Sequence, residues 1–239
     1  MNEFTKLYRA ILANLLDEGE LAESRSGNMV ELIGKANTFT DPASVVTGIP
    51  NWRDFNFTFA GSLAEAIWCG DSNGQNLSGV SERSRQFLQI PEHLADSVCA
   101  MYGPKLLASL PFVKHCIDKE ENTRRAISHF NTPGDVRIVL DECLAKLEFP
   151  CTLAWQWLPR NGKLHMHVHM RSQCAFTILP LDLYVQNYIL AKLSAELGLQ
   201  QGCITQSYGS IHIYEKDIVK LAKSGDELLQ PKAERRLAL

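Results

Sequence analysis

The sequence has no apolar run approaching the roughly 18–20 residues that would cross a bilayer, and its first residues, with Glu3, Lys6 and Arg9 interrupting the apolar pattern, lack the core of a secretory leader. A cytoplasmic protein without membrane association is expected. Charge of one sign is also scarce: 24 Lys and Arg against 27 Asp and Glu leave a formal net charge of −3. That balance offers no broad electrostatic footprint for nucleic acid, although a local basic pocket is compatible with it. CxxC pairs are missing, and the seven cysteines, Cys69, Cys99, Cys116, Cys143, Cys151, Cys174 and Cys203, form an odd set. Both a disulfide framework and a zinc knuckle are disfavoured. Repeats, low-complexity tracts and clear linkers are absent too, which argues for one α+β domain spanning residues 1–239.

What is present is a hydrophobic content of 45% with 21% charged residues, ordinary for a globular chain. Phe4, Leu7, Tyr8, Ile11, Leu12, Leu15 and Leu16 recur at helical spacing, with Gly19 as the stop. Helical patterns follow at 61–69, at about 92–108 and through Val136, Val139, Leu140, Cys143, Leu144 and Leu147 up to Pro150. The period then falls to two. Cys151, Leu153, Trp155 and Trp157 alternate with their neighbours, Pro159-Arg160-Asn161-Gly162 supplies a turn, and 163–172 alternate again, so a β-hairpin is expected. A helix over Leu183–Leu197 with Gly198 beyond it completes the pattern, and 226–239 is a charged terminal stretch.

Candidate chemistry lies at a few positions. Cys151 follows a proline at the mouth of a strand, where a side chain is held rigidly. A lone intracellular cysteine is more often a buried small hydrophobe than a nucleophile, and a positive neighbourhood would reverse that reading by favouring the thiolate. Arg25, Arg124, Arg125 and Arg171 are candidates for such a neighbourhood. An arginine fork beside a hydroxyl, as in Ser24-Arg25-Ser26 and Arg171-Ser172, suits a phosphate, while spacing alone favours reading each as a solvated surface charge. His165, His167 and His169 share one strand face. Same-face positions lie roughly 6.6 Å apart, a poor spacing for one ion, so a polar sheet face is favoured over a metal site and no metal is assigned.

Together these elements resemble the thymidylate synthase family, which includes the pyrimidine-nucleotide hydroxymethylases. The resemblance rests on Pro150-Cys151, Asn161-Gly162-Lys163-Leu164, Arg171-Ser172, Leu179-Pro180 and Gly209-Ser210-Ile211-His212-Ile213-Tyr214. Upstream, Glu23-Ser24-Arg25-Ser26-Gly27, Glu65-Ala66-Ile67-Trp68 with Gly70-Asp71, and Asn122-Thr123-Arg124-Arg125 are similar to the phosphate loop, the helix with its Gly-Asp turn and the paired-arginine segment. The resemblance implies a mixed sheet with flanking helices and a sheet-to-sheet homodimer. It implies a pyrimidine nucleoside monophosphate as ligand, its phosphate held by Arg25, Arg171 and Ser172 with Arg124 and Arg125 donated across the interface. His212 and Tyr214 would bind the sugar hydroxyl. Cys151 would add to C6 of the base, C5 would then attack a one-carbon unit from methylenetetrahydrofolate, and Glu65 would organise water and protons.

The departures from the family are informative. Its base-reading asparagine corresponds here to Asp182 in Pro180-Leu181-Asp182. An ionised carboxylate only accepts hydrogen bonds, which suits the cytosine 4-amino group and a protonated N3 and repels O4 of uracil. The competing reading makes Asp182 the N-cap of the following helix. Thr152 stands where the family has histidine, Cys174 where an aspartate orients folate and base, and Ile178 where a glycine lies near the folate. The expected activity is C5-hydroxymethylation of a cytidylate, dCMP or CMP. The alternatives are a divergent thymidylate synthase, a dUMP hydroxymethylase, or a nucleotide-binding protein without catalysis.

Overall fold

The structure, a computed structural model, describes residues 1–24, 26–70, 102–131 and 150–238. The helix expected over 136–147, the first part of that over 92–108, Arg25 and Asp71 lie outside the described residues. The elements run α1 (Glu3–Glu18), β1 (Glu20–Ser24), β2 (Gly27–Phe39), a 3-10 turn (Pro42–Ser44), α2 (Val45–Gly48), α3 (Phe57–Trp68), α4 (Tyr102–Lys119), β3 (Ile127–His129), β4 (Thr152–Arg160), β5 (Lys163–Cys174), α5 (Leu179–Glu196), β6 (Gln200–Tyr214), α6 (Glu215–Leu221) and α7 (Leu229–Leu237). The strands form one sheet in the order β1-β2-β6-β5-β4-β3, with β1–β2 and β3–β4 antiparallel. No described helix is long and apolar enough to cross a membrane.

Two compact units are present: residues 1–55, 170–184 and 205–239 form unit 1, and 56–169 with 185–204 form unit 2. In unit 1, α1 begins at an N-cap where Asn2 Oδ1 accepts from the Thr5 amide at 2.9 Å. Its buried stripe of Phe4, Tyr8, Ile11, Leu12, Leu15 and Leu16 packs against β2 and α7. Gly19 ends the helix as expected, for a different reason. Its φ of −68° is ordinary, but a Cβ there would lie 2.3 Å from Val30 Cγ1 and 2.5 Å from the Leu15 carbonyl. A row of stacked rings, Phe39, Phe4, Tyr8, Trp52 and Phe176, runs through this unit with centroids 5.3–6.3 Å apart. Such contacts add about 0.5–1.5 kcal/mol per pair to the burial itself.

Unit 2 has its own aromatic row, packed edge to face: Tyr102, Phe130, Trp155 and Trp157, at 5.2, 4.7 and 6.0 Å. Trp157 is fully buried and donates its Nε1–H to Ser128 Oγ at 3.1 Å. The expected hairpin is present as β4 and β5, with Asn161 and Gly162 both at positive φ (50° and 73°), the pair of left-handed residues that a two-residue turn of matching twist requires. Helix α4 continues to Lys119, well past the expected end near 108, with Pro111 in its interior. Burial of Leu106, Leu110 and Val113 offsets the backbone hydrogen bond that Pro111 cannot make.

Candidate active site

In unit 2, Cys151 is half-buried immediately before β4. The next residue, Thr152, is buried, and its amide donates to the Tyr102 hydroxyl at 3.4 Å, so the aromatic row also anchors the backbone beside the thiol. The described cysteines, Cys69, Cys116, Cys151, Cys174 and Cys203, are all reduced. Glu65 projects from the exposed face of α3. The Tyr188 hydroxyl of α5 donates to its Oε2, and Cys69 Sγ donates to its Oε1 at 3.4 Å. These bonds, the Tyr188 bond first, hold the Glu65 carboxyl below the usual range, with Lys192 adding to them. The ammonium of Lys192 stands 5.2 Å from the Tyr188 ring. Glu65 is therefore an ionised carboxylate at neutral pH, suited to orient water or accept a proton.

Arg124 and Arg125 are exposed on the segment leading into β3. Gln156 Nε2 donates to the Arg124 carbonyl at 2.9 Å, and the Arg125 amide donates to buried Thr123 Oγ1 at 3.2 Å, which fixes the backbone and leaves the guanidinium groups outward. Arg125 pairs with Glu120 at 2.7 Å in an exposed contact that solvent screens. On β5 His167 and His169 stack at 4.2 Å and His165 Nδ1 lies 3.0 Å from Cys203 Sγ. Burial lowers the pKa of all three histidines. Among the described residues no group of three His, Cys, Asp or Glu is placed to hold a metal ion.

In unit 1, Arg171 is exposed and Ser172 half-buried near the end of β5. The burial alternation slips here. Leu164, Met166, Val168 and Met170 are buried, so Ser172 is next in register, yet it is Gln173 that turns inward, 1% exposed. Gly209 of β6 sits opposite: a Cβ there would fall 2.7 Å from the Arg171 carbonyl. His212, 5% exposed, meets the Tyr214 ring edge-on at 5.0 Å and leaves its Nδ1 without a hydrogen-bond partner. Burial lowers its pKa, Glu31 opposes that effect and Arg171 adds to it. A neutral imidazole with a spare ring nitrogen can serve a hydroxyl as donor or acceptor.

Asp182 is not an N-cap. Helix α5 starts at Leu179 instead of Leu183, because Leu179-Pro180 form its first turn, where proline's missing amide costs nothing. Asp182 is thus a first-turn carboxylate whose amide already bonds the Ile178 carbonyl at 2.8 Å. Part of the residue reaches the surface, yet the carboxyl is so enclosed that burial pushes its pKa up to about 7, against a lowering influence from Gln173. Tyr208 of β6 lies near enough for Asp182 to raise the phenol's pKa further beyond its burial effect.

The position where the family resemblance implies a folate-orienting aspartate holds a buried thiol. Cys174 Sγ lies 2.9 Å from Thr177 Oγ1, and burial raises its pKa. Ile178 is exposed beside it. A neutral thiol turned to a hydroxyl does not supply the charge of a carboxylate, so these two residues do not fit folate as that resemblance would hold it. Three neighbours escape sequence reasoning altogether: Tyr188, Gln173 and Tyr208. Tyr188 and Glu65 are 123 residues apart, and no local pattern marks such a pair. The visible sign for Gln173 is its adjacency to Arg171-Ser172.

The family profile described as thymidylate synthase matches residues 107–235, more than half of the chain. The deoxyuridylate hydroxymethyltransferase of Bacillus phage SP01 is 27% identical over 229 residues, covering 89% of this chain and 57% of that protein. Thymidylate synthase 1 of Bacillus subtilis (strain 168) is 26% identical over 244 residues, 92% of this chain and 83% of that protein. The chain therefore spans less than two thirds of the length of the phage relative. In three dimensions it is similar to the thermostable thymidylate synthase A from Bacillus subtilis, with a TM-score of 0.72 and 21% identity over 95% of this chain and 85% of that one, which establishes the shared α+β fold.

Proposed function

We propose that this chain, which belongs to the thymidylate synthase family, is a pyrimidine nucleoside monophosphate C5-hydroxymethyltransferase acting on a cytidylate, dCMP or CMP. The observation that carries the choice of base is Asp182: a carboxyl of the first turn of α5, enclosed by protein and poised near neutrality. Ionised, it accepts from the 4-amino group of cytosine and from N3 once protonated. It has no donor for O4 of uracil.

In this reading Cys151 is the nucleophile. Its sulfur bonds to C6, the C5–C6 double bond opens, and C5 becomes the carbon nucleophile that takes up a one-carbon unit. The C5 proton and the amine that delivered the carbon then leave, water adds to the resulting exocyclic methylene, and elimination of the sulfur restores the C5–C6 double bond. Glu65, ionised and exposed, is assigned the water and the proton. Arg25, Arg171 and Ser172 hold the phosphate, joined by Arg124 and Arg125 of the partner subunit in a homodimer; the outward exposure of the pair supports that role. His212 and Tyr214, already in ring contact, take the sugar hydroxyl. On kinship the one-carbon donor is methylenetetrahydrofolate, which supplies carbon at the formaldehyde level; no residue role above depends on contacts to it.

A second reading, hydroxymethylation of dUMP, is favoured by the name of the phage relative. Tritium release from [5-³H]dCMP, [5-³H]CMP and [5-³H]dUMP in the presence of methylenetetrahydrofolate separates the two. Release from a cytidylate is expected. Release from dUMP alone would overturn the base assignment, and release unchanged in Cys151→Ser would overturn the nucleophile. The same variant is expected to keep nucleotide binding, which distinguishes a catalyst from a protein that only binds.

A further inference from the structure

Beside the proposed sugar site stands a carboxylate to which the reaction gives no task. Glu31 of β2 is half-buried, and its Oε2 accepts from Ser210 Oγ of the neighbouring strand β6 at 2.5 Å. A side-chain bond between adjacent strands puts both residues on one face of the sheet. Ser210 shares its face of β6 with His212 and Tyr214, two and four residues further on. The edge-on contact of the His212 and Tyr214 rings at 5.0 Å agrees with that register. Glu31, Ser210, His212 and Tyr214 all belong to unit 1.

Hydrogen-bonding capacity here exceeds what one hydroxyl can use. His212 is 5% exposed with its Nδ1 unpartnered, a costly state that a ligand group would relieve. Ser210 engages one oxygen of the Glu31 carboxylate and leaves Oε1 to accept a second donor. In a 5′-monophosphate a deoxyribose offers only its 3′-hydroxyl, which His212 and Tyr214 take in the proposed reading. A ribose adds the 2′-hydroxyl on the next carbon, on the same side of the ring. A carboxylate accepting from that hydroxyl is the pairing by which dinucleotide-binding folds read it.

We infer that Glu31, held in place by Ser210, accepts a hydrogen bond from the 2′-hydroxyl of the sugar, so that the ribonucleotide CMP is preferred to dCMP. This rests on the sugar-binding role proposed above for His212 and Tyr214. The Ser210 bond fixes the carboxylate before the ligand arrives, which lowers the ordering cost of binding. With dCMP the carboxylate loses water and gains no donor, so the deoxyribonucleotide is disfavoured.

The test is calorimetric titration of the full-length protein at pH 8 with CMP, dCMP and 2′-fluoro-2′-deoxycytidine monophosphate, whose fluorine stands where the hydroxyl does but has no proton to donate. The wild type is expected to bind CMP about tenfold more tightly than either of the others, the size of one charge-assisted hydrogen bond. Equal affinity for CMP and the fluoro compound would mean that a 2′ substituent is read by size, which overturns the inference, as does dCMP binding as tightly as CMP. Glu31→Gln keeps the shape and removes the charge. It should weaken CMP about tenfold and leave dCMP unchanged. Equal weakening of both sugars is the mark of a carboxylate that only braces Ser210, and it overturns the inference too, as does an unchanged ratio. The fluoro comparison needs no variant, so the test stands even if Glu31→Gln does not fold. A wild type that binds none of CMP, dCMP and dUMP overturns the proposed function itself, and this inference with it.

Discussion

Asp182 and Glu65 carry the same functional group in opposite surroundings. Glu65 stands on an exposed helix face in unit 2, and hydrogen bonds from Tyr188 and Cys69 hold it ionised. Asp182 sits in unit 1 among Gln173 and Tyr208, where burial holds its pKa near 7. Desolvation penalises the charged form and donated hydrogen bonds favour it. One carboxylate is therefore cheap to keep charged and suited to proton and water traffic. The other is expensive to keep charged, so it gains from a ligand that brings hydrogen-bond donors. The contrast supports the proposed division, with water chemistry at the first and recognition at the second.

The largest break of that contrast is Asp182→Asn. An amide offers one acceptor and one donor, which matches O4 and N3–H of uracil and leaves a mismatch against the cytosine amino group. The ratio of cytidylate to uridylate affinity is expected to fall by about 100-fold, the size typical of mispairing a buried polar edge. Titration of both nucleotides at pH 8, where the wild-type carboxyl is ionised, reads this directly. An unchanged ratio would remove Asp182 from base recognition.

The same substitution should alter the pH dependence of stability. Because the folded-state pKa of Asp182 is raised to about 7, the folded protein holds a proton that the unfolded chain releases near pH 4. Stability from this group is thus full below about pH 4 and falls as pH rises towards 7. Asp182→Asn removes that loss. In the absence of nucleotide the variant should be the more stable at pH 8, by on the order of 2 kcal/mol, and the difference should vanish at pH 4. Thermal unfolding at the two pH values checks the sign, which is opposite to that of an ion-paired carboxylate.

Much of this arrangement is written locally in the chain. The β4–β5 hairpin follows from the alternation of Leu153, Trp155 and Trp157 and from Asn161-Gly162, since register and turn are set by neighbours in sequence. His212 and Tyr214, two apart on β6, share a sheet face for the same reason. The site's electrostatics are not local. Gln173 faces inward only because the alternation slips at Arg171-Ser172, and Tyr208, near enough to feel the Asp182 charge, comes from β6, far along the chain. Helix α5 begins four residues before the apolar periodicity does, so Asp182 moves from a cap to the first turn. The sequence names the carboxylates, and tertiary contacts set their charge.

The smallest expected effect lies on the exposed side. Tyr188→Phe removes the leading contribution that lowers the Glu65 pKa, so that pKa should rise towards the ordinary carboxylate value. A lowered pKa contributes stability above the ordinary value and loses it as pH falls through the folded-state value. Solvent screens an exposed carboxylate, so the change in unfolding free energy should stay within about 0.5 kcal/mol. Turnover is the sharper readout. If Glu65 acts as the ionised base, the acid limb of kcat against pH should shift to higher pH in Tyr188→Phe, with nucleotide affinity unchanged. Its base preference should also stay that of the wild type, because Tyr188 bonds Glu65, to which the proposal gives the water, and not Asp182. A change in base preference would mean that the two carboxylates are coupled and that their roles cannot be assigned separately.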